Sequence, residues 1–491
     1  MKFPVLVAAG VSMLLAGSPV AAGAKDLASI PPPPPIPAAS NTLKHIILFV
    51  GDGMGINTLT AARTYAVGEE GDLTLDTLPE SAFIKTHSAD MQVTDSAAAM
   101  SAYMTGLKTS NGVLAMSGCP ASPAGPAAAS VTRPGVDPAA SATPAYAAVA
   151  QVRPIATLLE LAKRGGWSAG VVNAGSVTDP LTAAGYAHNC LFARDEEIAA
   201  ALVPGGAGYN GALAGGLDVV LGGGAPFFQR RADGRDLLAE LRAQGYAQVA
   251  DISALSAFKP APGRRLVGIF NEGAPDAGAN RDAGNAPTLA QMTTGAIDAL
   301  ATNERGFFLV VGNSLIGQAL RASNARRGLE ETVSLDKALT AAIDRMRAID
   351  PGLKNTLLVM TASQDSTLIL NGYAIRTGKT TATEPGVLGL ARRYSDNKYY
   401  QDQEGKPYTI IGFGNGVNRV QGRRADAPAL SDAIVSAPGY QQEAVLRMAP
   451  GTTTNGGIDV YLGAIGARAA DFRGTLDNTQ VHTLIKNAAG W

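Results

Sequence analysis

The segment HIILFV at 45–50 is apolar with almost no interruption and stops at Gly51. A strand with one wet face alternates apolar and polar residues, whereas an unbroken apolar run needs cover on both faces, the environment of a parallel sheet between two helical layers. Comparable runs recur at 168–172, 217–221, 266–270, 307–311, 356–361 and 408–412. Between several of them, segments 155–164, 289–301 and 333–349 space their apolar residues three and four apart, as one face of a helix requires. The pattern predicts an α/β fold, a doubly wound, largely parallel central sheet with helices on both faces. Any site should then lie outside the carboxyl ends of its strands.

Composition narrows the function. Lys plus Arg (40) balances Asp plus Glu (41), so the chain has no net basic charge with which to hold nucleic acid. At 46% hydrophobic and 16% charged it is rich enough in apolar residues to bury a large core. Two cysteines, Cys119 and Cys190, suffice for one disulfide and not for a Cys-rich zinc site. Only four histidines are present, so a metal centre built on several imidazoles would consume nearly all of them.

The first 24 residues carry a basic start at Lys2, an apolar run over 3–15 and Ala22-Gly23-Ala24, the layout of a cleaved export signal. The apolar run is too short to span a bilayer, so no transmembrane segment is expected after cleavage, and the protein should be exported. Residues 25–42 form a Pro-rich linker around IPPPPPIP, and 43–491 form one domain, interrupted over 119–154 by an Ala/Pro-rich surface insertion.

Two short motifs can carry chemistry. Strand 45–50 delivers Asp52 into the turn Gly51-Asp52-Gly53-Met54-Gly55, where the glycines admit close approach of a ligand; a plain loop would look the same. At Thr94-Asp95-Ser96-Ala97-Ala98-Ala99, Asp or Thr can cap a helix whose first turn holds Ser96, among free N–H groups that favour an anion. Ser96 can bind phosphate, attack it, or simply assist the cap.

The segment 47–55 (ILFVGDGMG), followed by 94–99 (TDSAAA) and 105–111 (TGLKTSN), resembles the alkaline phosphatase family. Further matches fall at 187–189 (AHN), 218–224 (DVVLGGG), 306–309 (GFFL), 356–362 and 477–480 (DNTQ), so the resemblance runs in order along most of the chain. It implies that Ser96 occupies the position of a nucleophile that becomes phosphoserine. It implies equally that Asp52 occupies the position of an aspartate bridging metals, in a centre of two zinc ions and a magnesium.

The remaining ligand positions depart from that pattern. The magnesium-site threonine falls on Leu181, with Thr182 beside it; a Glu, an Asp and a His fall on Gly312, Gly317 and Arg321. An Asp-His pair falls on Ser363 and Gln364, and the last zinc histidine falls about Thr453. The phosphate-clamping arginine falls on Phe192, with Arg194 the nearest replacement. None of His45, His87, His188 and His482 stands where the family needs one, and His188 reads as structural. Asp52 is thus the only surviving ligand position.

Zinc takes water from a pKa of about 15.7 towards 7–9, a span of roughly seven units. Each unit is worth about 1.4 kcal/mol, so losing the metals costs on the order of 10 kcal/mol. A helix N-terminus supplies only about 0.3–2 kcal/mol in return. The expectation is therefore a pseudophosphatase without zinc, magnesium or other cofactor, in which Ser96, Arg321 and Arg194 retain a phosphate- or phosphoester-binding cleft. Two alternatives stand beside it. One is an active phosphomonoesterase with a metal site rebuilt on Asp365, Asp179, Asp459 or Asn313. The other is a structural partner subunit that dimerises, with itself or with an active relative.

Overall fold

The computed structural model describes residues 43–119, 152–191, 194–270 and 285–491. The signal, the linker, nearly all of the insertion and Phe192 lie outside the described residues.

Fifteen strands occur among the described residues. In chain order they are β1 (His45–Gly51), β2 (Glu80–Lys85), β3 (Met116–Ser117), β4 (Arg153–Pro154), β5 (Ser168–Ser176), β6 (Val219–Gly223), β7 (Ala247–Gln248) and β8 (Leu266–Ile269). They continue with β9 (Phe307–Asn313), β10 (Thr356–Ala362), β11 (Leu368–Leu370), β12 (Ile411–Gly416), β13 (Ala444–Arg447), β14 (Val460–Gly466) and β15 (Gly474–Asp477). Ten of them form one sheet in the order β15-β2-β14-β10-β1-β9-β5-β6-β8-β7. Every neighbouring pair is parallel except the two made by β14, which runs against β10 and β2. The expected largely parallel sheet is present. β1 lies at its centre, and every residue from Ile46 to Val50 is 0% exposed, which is why the run cannot alternate.

Helices α1 (Ile56–Val67), Leu289–Leu300 and Ala325–Ile349 pack together on one side of the sheet. α2 (Ser96–Thr105), Leu158–Arg164 and Asn478–Ala489 pack on the other. The long helix begins at Ala325, eight residues before the periodic segment, because Asn324 caps it by accepting from Arg327 N at 3.1 Å and its first turns are polar. Two expectations need correction. The segment 408–412 is not a central strand: β12 begins at Ile411 and belongs to a separate sheet, β11-β12-β13. The half-buried strands β2, β14 and β15, absent from the sequence reading, complete one edge.

The base of the insertion is held by β3 pairing with β4 and by a disulfide between Cys119 and Cys190, with Cα atoms 5.6 Å apart. Denatured protein without reductant should titrate no thiol, and two after reduction; two thiols before reduction would contradict the pairing. Among the described residues no helix is long and apolar enough to cross a membrane.

Candidate functional site

Strands β10, β1, β9 and β5 lie side by side and parallel, so their carboxyl ends open on one edge, where Gly51 pairs with both Ala362 and Asn313. Each strand delivers chemistry within a few residues of its end. Asp52 follows β1, Ser363 and Gln364 follow β10, helix Leu315–Arg321 follows β9, and Asp179 follows β5 at the head of helix Pro180–Ala183. α2 adds Ser96 at its first position. Asp95 sets that helix start: Oδ1 accepts from Ala98 N at 2.8 Å and Oδ2 from Gly112 N at 2.6 Å. Three alanines favour the helix that follows, and Gly106 closes it in the left-handed region at φ 73°. A cleft of about 740 Å³ lies over this edge, lined in part by Ser96, Asp179, Arg321 and Thr453.

Asp52, 1% exposed, is the hub. Its Oδ1 accepts from Ser96 Oγ at 2.6 Å, from Gln364 Nε2 at 2.7 Å and from Ser363 Oγ at 3.3 Å. Its Oδ2 accepts from Arg321 Nη1 at 3.0 Å. Gln364 Nε2 also reaches Ser96 Oγ at 3.2 Å. Arg321 is held from behind by Thr453, whose hydroxyl donates to the Arg321 carbonyl at 2.9 Å. Its guanidinium keeps 34% of its side-chain surface, faces the cleft, and offers Nε and Nη2 to no partner among the described residues. Burial opposes its charge, but Asp52 and Asp179 outweigh that and raise its pKa.

These residues do not fit the metals that the resemblance implies. Both oxygens of Asp52 are occupied by protein donors, including a fixed cation. At Gly317 a Cβ would stand 1.9 Å from Asp52 Oδ2 and 2.9 Å from Arg321 Nη1, so no ligand side chain can be added there while the ion pair is formed. At Gly312 a Cβ would meet the Leu181 side chain at 3.2 Å. Leu181 is itself 0% exposed, so hydrocarbon fills the space beside that position. Among the described residues no three His, Cys, Asp or Glu side chains gather as a metal site would need.

Three of the substitutes considered for a rebuilt centre, Asn313, Asp459 and Asp365, do not line the cleft. Asn313 donates to Glu331, and Thr182 donates to the Val177 carbonyl at 2.7 Å. Asp459 does not line the cleft. Asp365 is 2% exposed and packs between Gly55 and Gly456, where burial pushes its pKa up to about 7. An acid raised in the folded state stabilises fully below its unfolded value and loses that contribution as pH rises through the folded one. Relative to Asp365→Asn, the wild type should therefore lose on the order of 2 kcal/mol between about pH 5 and pH 8, read by urea unfolding. Parallel pH profiles of the two proteins would contradict it.

Arg194, expected at the substrate, lies elsewhere: its guanidinium pairs with Glu197 at 2.6 Å and does not line the cleft. His188 is structural as expected, bonded to the Ala115 carbonyl at 2.9 Å and to Glu160 at 2.6 Å. Asp179, considered only as a metal substitute, is instead a cleft carboxylate. Its Oδ1 accepts from Leu181 N at 3.1 Å, and burial together with the Asp52 charge pushes its pKa to about 7. Sequence reasoning assigned no role to Asn111, although it quoted the motif that contains it. The Asn111 side chain accepts from Asp95 N at 3.1 Å and donates to the Val93 carbonyl, fixing the turn that presents Ser96.

A sequence model described as "Alkaline phosphatase" matches residues 43–491. The chain is 30% identical to streptomycin-6-phosphate phosphatase of Streptomyces griseus, over 83% of this chain and 92% of that one. It is 28% identical to the tissue-nonspecific alkaline phosphatase of Rattus norvegicus, over 88% and 80%. In three dimensions it is similar to Thermus thermophilus alkaline phosphatase, with a TM-score of 0.62 at 22% identity, covering 92% and 93%.

Proposed function

Because the chain belongs to the alkaline phosphatase family, we propose that it is a pseudophosphatase that retains the nucleophile position, Ser96, in a ligand-binding cleft and has given up metal-dependent hydrolysis. The observation that carries the reading is the state of Asp52. The carboxylate that would bridge metals is held by Ser96, Ser363, Gln364 and Arg321 instead.

Each residue has a role in this reading. Arg321 offers the unpaired side of its guanidinium to an oxyanion, the geometry in which arginine binds phosphate and carboxylate. The N–H groups and positive end of α2 lie beneath, where anions are favoured. Ser96 is a donor already committed to Asp52. With Arg194 turned away, Arg321 is the anion-binding side chain. The same reading places the protein outside the cytoplasm, supported by the apolar segment 3–15, the Ala22-Gly23-Ala24 pattern and the Cys119–Cys190 disulfide.

Isothermal titration with inorganic phosphate tests the binding role. The wild type should bind, and Arg321→Ala should weaken binding by about tenfold or more, the value of one charge-assisted contact. No heat from the wild type, or an unchanged affinity in Arg321→Ala, would sink the proposal.

A further inference from the structure

Resting on the reading that the cleft binds a phosphoester without metal, we infer that it selects a phosphoester bearing an ammonium group, with the anionic head on Arg321 and the first N–H groups of α2 and the ammonium against Asp179. Two observations carry this. First, the charges facing the cleft are unfavourable for a bare dianion. Arg321 is the one cation among the described lining residues, and it is already paired with Asp52, while Asp179 and Asp90 line the same space. A dianion entering alone would meet more negative than positive charge.

Second, Asp179 has capacity to spare. It is half-buried, and only its Oδ1 is used, by Leu181 N; Oδ2 accepts nothing among the described residues. It lines the same cleft as Arg321 and Ser96, so it faces the space in which a ligand of Arg321 would lie. A cation beside it would relieve the repulsion between the two carboxylates.

Donors on Arg321 and α2 together with the acceptor on Asp179 suit a ligand that carries both signs of charge.

The test compares two probes that differ only at one end, 3-aminopropyl phosphate and propyl phosphate, titrated into the full chain at about pH 8, where both phosphates are dianions. The amine should bind about tenfold tighter, and Asp179→Asn should remove most of that preference while leaving propyl phosphate no weaker. Asn keeps the acceptor that caps helix Pro180–Ala183, and an unchanged melting temperature verifies that the variant folds. Equal or tighter binding of propyl phosphate would overturn the inference and leave the binding role intact. So would an amine preference that survives Asp179→Asn. Binding of neither probe would overturn both.

Discussion

Dialysed against excess zinc and magnesium, the purified chain is expected to retain well under one metal ion per molecule and to hydrolyse p-nitrophenyl phosphate about seven powers of ten more slowly than a metal-loaded relative. The magnitude follows from what the metals do. Without them the attacking hydroxyl keeps close to its solution pKa, roughly seven units above the value zinc confers, at about 1.4 kcal/mol per unit. The Arg321 guanidinium contributes charge but cannot polarise a bound oxygen through a coordinate bond, and its charge is already partly neutralised by Asp52 at 3.0 Å. Metal analysis and turnover on one sample decide the matter. Stoichiometric zinc with turnover abolished by Ser96→Ala would show an active enzyme with a rebuilt centre.

Gly317→Ala should be strongly destabilising, by about 3–5 kcal/mol in urea unfolding. The added Cβ would lie 1.9 Å from Asp52 Oδ2 and 2.9 Å from Arg321 Nη1, and helix Leu315–Arg321 has little freedom to retreat, since Gly317 is itself buried. The ion pair must open, leaving a carboxylate that is 1% exposed without its cation. Gly439→Ala, where a Cβ meets nothing within 4 Å, is the neutral control. In an Arg321→Ala background the cost of Gly317→Ala should shrink, because the pair is already gone; strict additivity would show that the methyl acts by some other route.

Much of the site was legible in the chain because its groups sit next to local signals. Asp52 is marked by glycines at a strand end, Ser96 by a cap and three alanines, and the substituted positions by the motifs around them. What the sequence could not supply was direction. Arg321 reads equally as an exposed helix arginine or a site cation, and only the tertiary fold, bringing the end of β9 beside the end of β1, decides for Asp52. Arg194 fails for the same reason in reverse: three residues along its own helix, Glu197 offers a nearer partner than the cleft does. In the fold, buried runs such as 45–50 were clear, while β2 and β14 were missed. β2 is a half-exposed strand, and the Gly463 within β14 weakens the pattern.

The contact between Gly312 and Leu181 bears on how such a chain can change over time. An acidic residue returned to 312 meets Leu181; a threonine returned to 181 leaves a void beside a bare glycine; a carboxylate returned to 317 meets Asp52 and Arg321. Each step back toward a metal centre is unfavourable until its neighbour has also changed. On the proposed reading the substituted positions therefore act as a ratchet, and building a metal centre of the family's kind in this chain would need several substitutions to arrive together.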